Sequence, residues 1–249
     1  MIQDTVVVIT GASGGIGAAL AELLAKRGAW LGLVARRREA LEEVAARCEG
    51  RAHPMVADAT VRSEVRRVVQ ESLARFGRID VWVNNVGRGI TRVPSELTDD
   101  DIDGMILFNV KTALYGIQEV LPHFKERGTG QVVNISSMLG RVPLPAFRSA
   151  YNGSKHFLNA LTENFRTEVQ STHPGILFTL VSPGVVRTDF GRNALHGGPD
   201  SSRLPDSQSV EEVAEVIAGV IDSPRPDVYT RTGAHARVVD YFSARGEDP

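Results

Sequence analysis

The sequence has a single cysteine, Cys48, among its 249 residues. A disulfide framework is therefore excluded, and no Cys/His cluster has the spacing of a metal site. A long apolar run is missing too, because "TVVVIT" at Thr5–Thr10 is far shorter than the roughly 20 residues that a membrane helix needs. That segment also lacks the basic flank of a signal peptide. These absences predict a soluble protein in the cytoplasm, without a metal and without a membrane partner.

A strong charge of one sign is also absent. Lys and Arg number 28 and Asp and Glu 30, which gives a formal net charge of -2. Proteins that bind nucleic acid or an anionic membrane surface usually concentrate positive charge. We therefore expect no nucleic-acid partner. The apolar fraction of 42% is that of an ordinary globular chain long enough to bury a sizeable core.

Two alternating patterns fill the chain. Short, continuously apolar runs are typical of strands buried on both faces, and longer stretches with helical spacing separate them. The strands are predicted at 5–10, 30–35, 52–57, 80–85, 131–136, 176–182 and 227–230, and the helices at 16–27, 38–48, 64–76, 101–124, 151–171 and 210–221. This order predicts an α/β fold, a Rossmann-type doubly wound parallel sheet of about seven strands with helices on both faces, in a single domain 1–249.

One segment has neither pattern. Residues 189–209 are rich in Gly, Pro, Ser and Asp. Connections of about twenty residues are uncommon and are frequently lids or binding loops. We expect this segment to be a substrate-binding loop.

A glycine-rich turn follows the first predicted strand. In "TGASGGIG" at Thr10–Gly17, Gly11, Gly15 and Gly17 stand just before the first helix. Glycines in such a turn let the backbone approach a pyrophosphate, to which the helix N-terminus presents free N–H groups. A glycine turn alone is weak evidence, but its place at the first strand–helix junction predicts a dinucleotide site.

Three arginines follow the second predicted strand, which ends at Ala35. An acid at this point favours a cofactor with a free ribose 2′-hydroxyl. Arg36, Arg37 and Arg38 stand there instead, and a guanidinium suits a 2′-phosphate. Cations at a helix N-terminus are mildly unfavourable, and binding a phosphate would explain why they are there. The run predicts NADP(H) in preference to NAD(H).

Four further motifs stand in the order found in the short-chain dehydrogenase/reductase family, which the sequence resembles over nearly all its length. They are "NNVG" at 84–87, "NISS" at 134–137, "YNGSK" at 151–155 and "SPGVVRTDF" at 182–190. The resemblance implies hydride transfer between a nicotinamide cofactor and a carbonyl or alcohol. It also implies a homo-oligomer, a tetramer or a dimer, built on the helices 101–124 and 151–171. Two positions depart from the family pattern, Val86 for the usual Ala and Gly14 where many NADP-using members carry a basic residue.

The resemblance implies four catalytic residues. Tyr151 would exchange a proton with the substrate oxygen, and Ser137 would hydrogen-bond that oxygen. Lys155 would bond the nicotinamide ribose, and Asn109 would hold a water that relays protons. Ser136 is the alternative to Ser137, and Asn109 could instead be a mid-helix residue bonded to backbone.

The spacing of Tyr151 and Lys155 has a consequence of its own. Residues four apart in a helix project from the same face. A nearby ammonium favours the phenolate, so we expect the pKa of Tyr151 to fall toward neutrality, where a general acid or base works best.

The resemblance also implies the cofactor contacts. They are Gly11, Ser13, Gly15, Ile16 and Gly17 at the pyrophosphate, Arg36, Arg37, Asp58, Asn85 and Gly87 at the adenosine, and Tyr151, Lys155, Pro183, Gly184, Val186 and Thr188 at the nicotinamide end.

Three segments should shape the substrate pocket, namely 88–96, 138–150 and 189–209. The middle one offers Leu139, Val142, Leu144 and Phe147, and such walls suit a hydrophobic carbonyl or alcohol. Parts of the chain are similar to the branch that contains the animal DHRS7-type reductases of steroid- or retinoid-like carbonyls.

Two other functions stay open. Arg141 or Arg148 could meet a carrier-bound phosphopantetheine, as in a 3-oxoacyl-carrier-protein reductase, or be solvated loop charge. A non-catalytic NADP(H)-binding sensor would use the same fold. Sensors of that kind usually lose the tyrosine or the lysine, and both are present here, which favours the enzyme.

Overall fold

Strands and helices alternate through residues 2–246, the part of the chain that the computed structural model describes. The strands are β1 Val6–Thr10, β2 Trp30–Ala35, β3 Ala52–Val56, β4 Val81–Asn84, β5 Gly130–Ile135, β6 Ile176–Ser182 and β7 Asp227–Tyr229. The helices are α1 Gly15–Lys26, α2 Arg38–Ala46, α3 Arg62–Phe76, α4 Asp99–Ile106, α5 Thr112–Arg127, α6 Ser149–Gln170, α7 Val210–Asp222 and α8 Ala234–Ser243. No helix in residues 2–246 is long and apolar enough to cross a membrane.

The strands form one parallel sheet in the order β3-β2-β1-β4-β5-β6-β7. The winding direction reverses between β1 and β4. In doubly wound sheets a crevice opens at this point, beyond the carboxyl ends of the strands. The predicted fold class, a single-domain doubly wound α/β fold with seven strands, is confirmed.

Each face of the sheet has its own apolar core, which explains why the strands are mostly apolar on both sides. In β1, Val7 and Ile9 pack on one side and Val8 on the other. The first core contains residues of α1, α2 and α7, together with Cys48. The second contains residues of α3 and α5 and the end of α6. Alternate side chains therefore enter opposite cores, and a polar residue would be buried on either side.

Two elements differ from the prediction. The stretch predicted as one helix over 101–124 is α4 and α5 joined by a π-helical turn at Leu107–Lys111. Helix α8 has no counterpart in the prediction. It buries only Ala234 and Val238, so most of it lies outside the core.

A chain of buried side-chain hydrogen bonds ties α6 to the middle of the sheet. Trp82 Nε1 donates to Asn84 Oδ1, and Asn84 Nδ2 donates to Asn134 Oδ1 of β5, each at 2.8 Å. Asn134 Nδ2 then donates to Thr162 Oγ1 of α6 at 2.8 Å. All four residues are buried. Buried amides need hydrogen-bond partners, so this series of hydrogen bonds fixes the position of α6 over β4 and β5.

Replacing Asn134 with leucine tests this connection. Asn134→Leu removes one hydrogen bond from the buried amide of Asn84 and one from the buried hydroxyl of Thr162. We expect the free energy of unfolding to fall by about 2–4 kcal/mol, measured by urea denaturation. The control is Asn193→Leu, whose exposed side chain makes no hydrogen bond among residues 2–246, and which should change stability by less than about 0.5 kcal/mol. If the two substitutions lowered the free energy of unfolding equally, the proposed role of these hydrogen bonds would be contradicted.

Candidate active site

A cleft of about 1730 Å³ opens beyond the carboxyl ends of the strands. It runs from the glycine turn after β1 to the first turns of α6. The predicted site residues that line it are Gly11, Ser13, Gly15, Ile16, Arg36, Arg37, Asp58, Asn85, Gly87, Ser137, Tyr151, Lys155, Pro183, Gly184, Val186 and Thr188. Two predicted residues, Gly17 and Asn109, lie behind its wall.

Gly17 is needed for packing within the glycine turn. A Cβ on Gly17 would lie 2.4 Å from the carbonyl oxygen of Gly11, so any side chain would push the turn away from α1. Gly11 itself has a φ of +70°, a conformation that only glycine adopts readily. Asn85 Nδ2 donates to Gly11 O at 3.1 Å and links the turn to the segment after β4.

The N-terminus of α1 is left open toward the cleft. Its N-cap is Gly14, which makes no side-chain capping bond, and the first turn has no acidic residue. The free N–H groups and the positive end of the helix dipole are therefore available to an anion. A close-packed glycine turn with an uncapped helix end fits the pyrophosphate of a dinucleotide.

The opposite wall of the cleft is the segment 183–188. Thr188 lies across from the glycine turn, since a Cβ on Gly15 would be 3.2 Å from Thr188 Cγ2. Gln208 fixes this wall. Its backbone pairs with Val185 O at 2.8 Å and with the amide of Arg187 at 2.9 Å, and its side chain bonds Thr230. Sequence reasoning missed Gln208, because it stands in an irregular loop with no motif around it.

Two arginines stand where β2 and β3 end. Arg37 Nη2 lies 3.4 Å from Ser13 O, and Arg36 Nη1 lies 3.8 Å from Asp58 Oδ2. Asp58 Oδ1 also accepts from the amide and hydroxyl of Thr60. Arg38, by contrast, pairs with Glu42 on its own helix and does not line the cleft. Only the first two arginines of the run are placed to meet a ligand.

Tyr151 stands in the first turn of α6, and its side chain is buried. Its ring meets that of Phe190 edge to face, with centroids 5.5 Å apart. Burial raises the pKa of Tyr151 to about 12, although a hydrogen bond with Ser137 and the charge of Arg148 act in the opposite direction. The expectation of a pKa lowered toward neutrality is therefore wrong for the protein without ligands. The phenol is protonated at neutral pH.

Lys155 does not offset the rise that burial causes in the pKa of Tyr151. Its Nζ lies 5.8 Å from the centroid of the Tyr151 ring and donates to Ile135 O at 3.0 Å. Only 3% of the residue is exposed, and no carboxylate pairs with it in residues 2–246. Burial accordingly lowers the pKa of Lys155 to about 8. An ammonium has three N–H donors, so two remain for a ligand in the cleft.

Ser137, and not Ser136, is the serine next to the phenol of Tyr151. Its hydroxyl bonds Tyr151, and its Oγ accepts from the amide of Leu139 at 3.1 Å. The hydroxyl of Ser136 donates instead to Asn159 Oδ1 on α6, at 2.5 Å. Ser136 thus helps to attach α6 to the end of β5.

Asn109 lies in the π-helical turn and is 99% buried. Its Oδ1 accepts from Arg88 N at 2.9 Å, and its Nδ2 donates to Arg88 O at 2.9 Å and to Ser154 Oγ at 3.1 Å. It is bonded to backbone, as the alternative interpretation had it, but to the loop after β4 rather than to its own helix. π-turns are frequent at functional sites, and this one joins that loop to α6.

The substrate end of the cleft differs in part from the prediction. Leu139, Leu144 and Phe147 line it, but Val142 does not. Arg141 is turned away as well. It forms an ion pair with Asp227 and lines a separate cavity of about 360 Å³. The apolar character of the pocket is present, while one of the two candidate anion-binding arginines is already paired elsewhere.

The segment 189–209 is fastened over this end of the cleft. Leu195 N donates to Gly89 O at 2.8 Å, and Thr91 N donates to Leu195 O at 3.0 Å. The ring of His196 bonds Asp101 on α4 at 2.7 Å, and this bond is the main reason why the pKa of Asp101 falls to about 2. Within residues 2–246, no group of three or more His, Cys, Asp or Glu could hold a metal ion.

The burial of the Lys155 ammonium should make the free energy of unfolding depend on pH. Between pH 8 and pH 10.5 the folded protein has lost this proton while the unfolded chain still binds it. The free energy of unfolding of the wild type should therefore rise with pH relative to Lys155→Met, by up to about 3 kcal/mol. At pH 7 the variant should be at least as stable as the wild type.

Urea denaturation at pH values from 7 to about 10.5 measures this difference. Lys125→Met is the control, because Lys125 is exposed on α5 and its removal relieves no burial of charge. A gap between the wild type and Lys155→Met that stays constant across this pH range would contradict the burial of an unpaired ammonium.

Comparisons with known proteins agree with this geometry. A family model described as short chain dehydrogenase matches residues 5–197. An uncharacterized oxidoreductase of Staphylococcus saprophyticus is 33% identical over 234 residues, which are 92% of this chain and 88% of that protein.

Solved structures show the same fold. An alcohol dehydrogenase from the archaeon Thermococcus sibiricus, complexed with 5-hydroxy-NADP, is 28% identical with a TM-score of 0.79, and the match covers 91% of this chain and 96% of that one. A short chain dehydrogenase/reductase from Burkholderia phymatum in complex with NAD is 23% identical with a TM-score of 0.87, over 100% and 98% of the two chains. With its glycine turn and its tyrosine and lysine on one cleft, the chain belongs to the short-chain dehydrogenase family and is an oxidoreductase.

Proposed function

We propose that the protein is an NADP(H)-dependent oxidoreductase of the carbonyl reductase or alcohol dehydrogenase type. It would transfer a hydride between the nicotinamide and a hydrophobic ketone, aldehyde or secondary alcohol. The observation that carries the proposal is the buried phenol of Tyr151, bonded to Ser137 and standing above the ammonium of Lys155, at one end of the cleft that begins at the glycine turn.

The lining of the cleft supports the cofactor assignment. The open N-terminus of α1 would hold the pyrophosphate, and Arg36 and Arg37 would hold a 2′-phosphate at the end of β2. The free N–H groups of Lys155 would bond the ribose next to the nicotinamide. When bound there, the nicotinamide supplies or accepts the hydride.

The chain itself supplies the proton. In reduction, Tyr151 would donate its phenolic proton to the oxygen of the carbonyl, and the Ser137 hydroxyl would hydrogen-bond that oxygen and hold it in place. A phenol whose pKa is about 12 is protonated at neutral pH, so the protein is prepared for reduction. In oxidation, Tyr151 would first have to lose its proton, and Lys155 would stabilise the resulting phenolate.

Removing the phenolic hydroxyl tests this chemistry. Tyr151→Phe should lower kcat for carbonyl reduction by about 10²- to 10⁴-fold, because the proton donor is lost, while NADPH still binds. The measurement is NADPH oxidation against steroid ketones, aromatic aldehydes, diketones and an acetoacetyl thioester. Tyr115→Phe on α5 is the control, since that ring lies against Arg62 outside the cleft. Turnover that survives in Tyr151→Phe would refute the role of Tyr151. Tight NADPH binding with no turnover on any substrate would favour the sensor.

The choice of cofactor is tested on the arginine run. Replacing both Arg36 and Arg37 with serine should weaken NADPH binding by about tenfold or more, since a charge-assisted bond to the 2′-phosphate contributes about 1.5–3 kcal/mol. NADH binding should change little. Arg38→Ser is a matched control, because Arg38 pairs with Glu42 and lies outside the cleft lining. Equal losses for NADPH and NADH, measured by fluorescence titration, would contradict the NADP(H) proposal.

Assembly and location remain proposals from the sequence. A homo-oligomer would use α4, α5 and α6, and Ile102 on α4 and Phe157 on α6 are exposed apolar side chains on these helices. A tetramer and a dimer are both compatible with this surface. The proposed location is the cytoplasm.

A further inference from the structure

Arg148 is a buried cation beside the catalytic tyrosine. It is the N-cap residue of α6, three positions before Tyr151, so the two side chains share a helix face. Only 8% of Arg148 is exposed, and the exposed part lines the cleft. Its charge acts on the phenol of Tyr151. The guanidinium therefore stands at the reacting end of the pocket, not at its mouth.

This guanidinium has no carboxylate partner in residues 2–246. It has five N–H donors, and its one hydrogen bond among these residues runs from Nη1 to Ile90 O at 3.1 Å. Other arginines of the same region are paired, Arg92 with Asp101 and Arg141 with Asp227. Burying an unpaired cation is costly, and a bound anion would offset that cost.

The surroundings bring a second polar group close to the guanidinium. A Cβ on Gly89 would lie 2.9 Å from Arg148 Nη1, and a Cβ on Gly198 would lie 3.3 Å from Arg148 Nη2. The same Gly198 position is 2.9 Å from Thr91 Oγ1, a buried hydroxyl that has no hydrogen-bond partner among residues 2–246. Two polar groups, one cationic and one neutral, thus converge without satisfying each other.

We propose that Arg148 binds the carboxylate of an oxo acid whose carbonyl group is reduced at Tyr151. The proposal deepens the function proposed above and rests on it. The planar fork of a guanidinium matches the two oxygens of a carboxylate. Hydride goes to the carbonyl carbon, the Tyr151 proton goes to the carbonyl oxygen, and the product is a hydroxy acid whose carboxylate is unchanged. The rest of the substrate would contact apolar walls such as Phe147 and Phe190.

A carrier-bound phosphopantetheine is a poorer match. Its phosphate lies at the far end of a long arm from the reacting carbonyl, whereas Arg148 is adjacent to Tyr151. Exposed arginines at the mouth of the cleft would suit that phosphate, and Arg148 is not exposed.

Paired substrates test the proposal in the wild-type protein. The probes are 2-oxobutanoate, 4-oxopentanoate, 5-oxohexanoate and 3-acetylbenzoate, each compared with its primary amide, which is of similar size and uncharged. At least one acid should exceed its amide in kcat/KM by about 10- to 100-fold, since hydrogen bonds to a charged group contribute about 1.5–3 kcal/mol. Reduction of the amides with no preference for any acid would overturn the proposal while leaving the reductase intact.

Substitutions then locate the anion site. Arg148→Met should remove the preference for the acid mainly through KM, and Arg148→Lys should restore part of it. Arg141→Met is the matched control from the same loop, and its acid-to-amide ratio should stay that of the wild type. An equal loss of kcat on acids and amides, with a displaced pH profile, would overturn the proposal. It would show that Arg148 only adjusts the ionisation of Tyr151.

A binding measurement separates this proposal from the reductase itself. Benzoate, which has no reducible ketone, should raise the Tm of the NADP⁺-saturated wild type and not that of Arg148→Met, and benzamide should raise neither. Binding of benzoate without turnover of any ketone would support the anion site and count against the proposed reaction. Equal effects of benzoate on the wild type and on Arg148→Met would overturn the anion site.

Discussion

The attachment of α6 to the sheet is the constraint on which the rest of the site depends. The chain of amides from Asn84 through Asn134 to Thr162 crosses from β4 over β5 to the middle of that helix. A purely apolar contact would resist sliding less, because side chains in a core can repack at small cost. Buried amides that pair with each other allow one register only. The phenol and the ammonium on the first turns of α6 therefore stand at a fixed height above the ends of β4 and β5.

The site contains buried polar groups that the stability of the fold does not require. Lys155 and Arg148 are buried cations without carboxylates, and Thr91 Oγ1 is a buried hydroxyl without a partner among the described residues. The apolar cores elsewhere leave few such groups. Binding sites are commonly less stable than their scaffold, because their donors are arranged for a ligand and not for each other. The two cations thus keep unused donors beside the cleft, where a cofactor and a substrate can pair with them.

The sequence predicted the sheet because the central strands are buried on both faces and so form nearly continuous apolar runs, as in β1 and β6. The glycine turn and the tyrosine–lysine pair were predicted because each is a local pattern with a fixed spacing. The features that could not be predicted from the sequence depend on contacts between distant parts of the chain. The pKa of Tyr151 depends on its burial, on Ser137 after β5 and on Arg148. Gln208 joins an irregular loop to Thr230, just after β7, and Asn109 in the π-turn bonds the backbone of Arg88. No short stretch of sequence records these contacts.

The π-turn at Leu107–Lys111 also constrains how this chain can change in length. A π-turn corresponds to one residue more than a regular α-helix would hold. Deleting a residue there would make the hydrogen bonding of the helix regular, but it would rotate α4 relative to α5 by about 100°. Either Asn109 would leave the backbone of Arg88, or α5 would withdraw Ile117 and Phe124 from the second core. The irregular helix is thus the only register that serves the core and the cleft together, and a shortened variant would have to give up one of them.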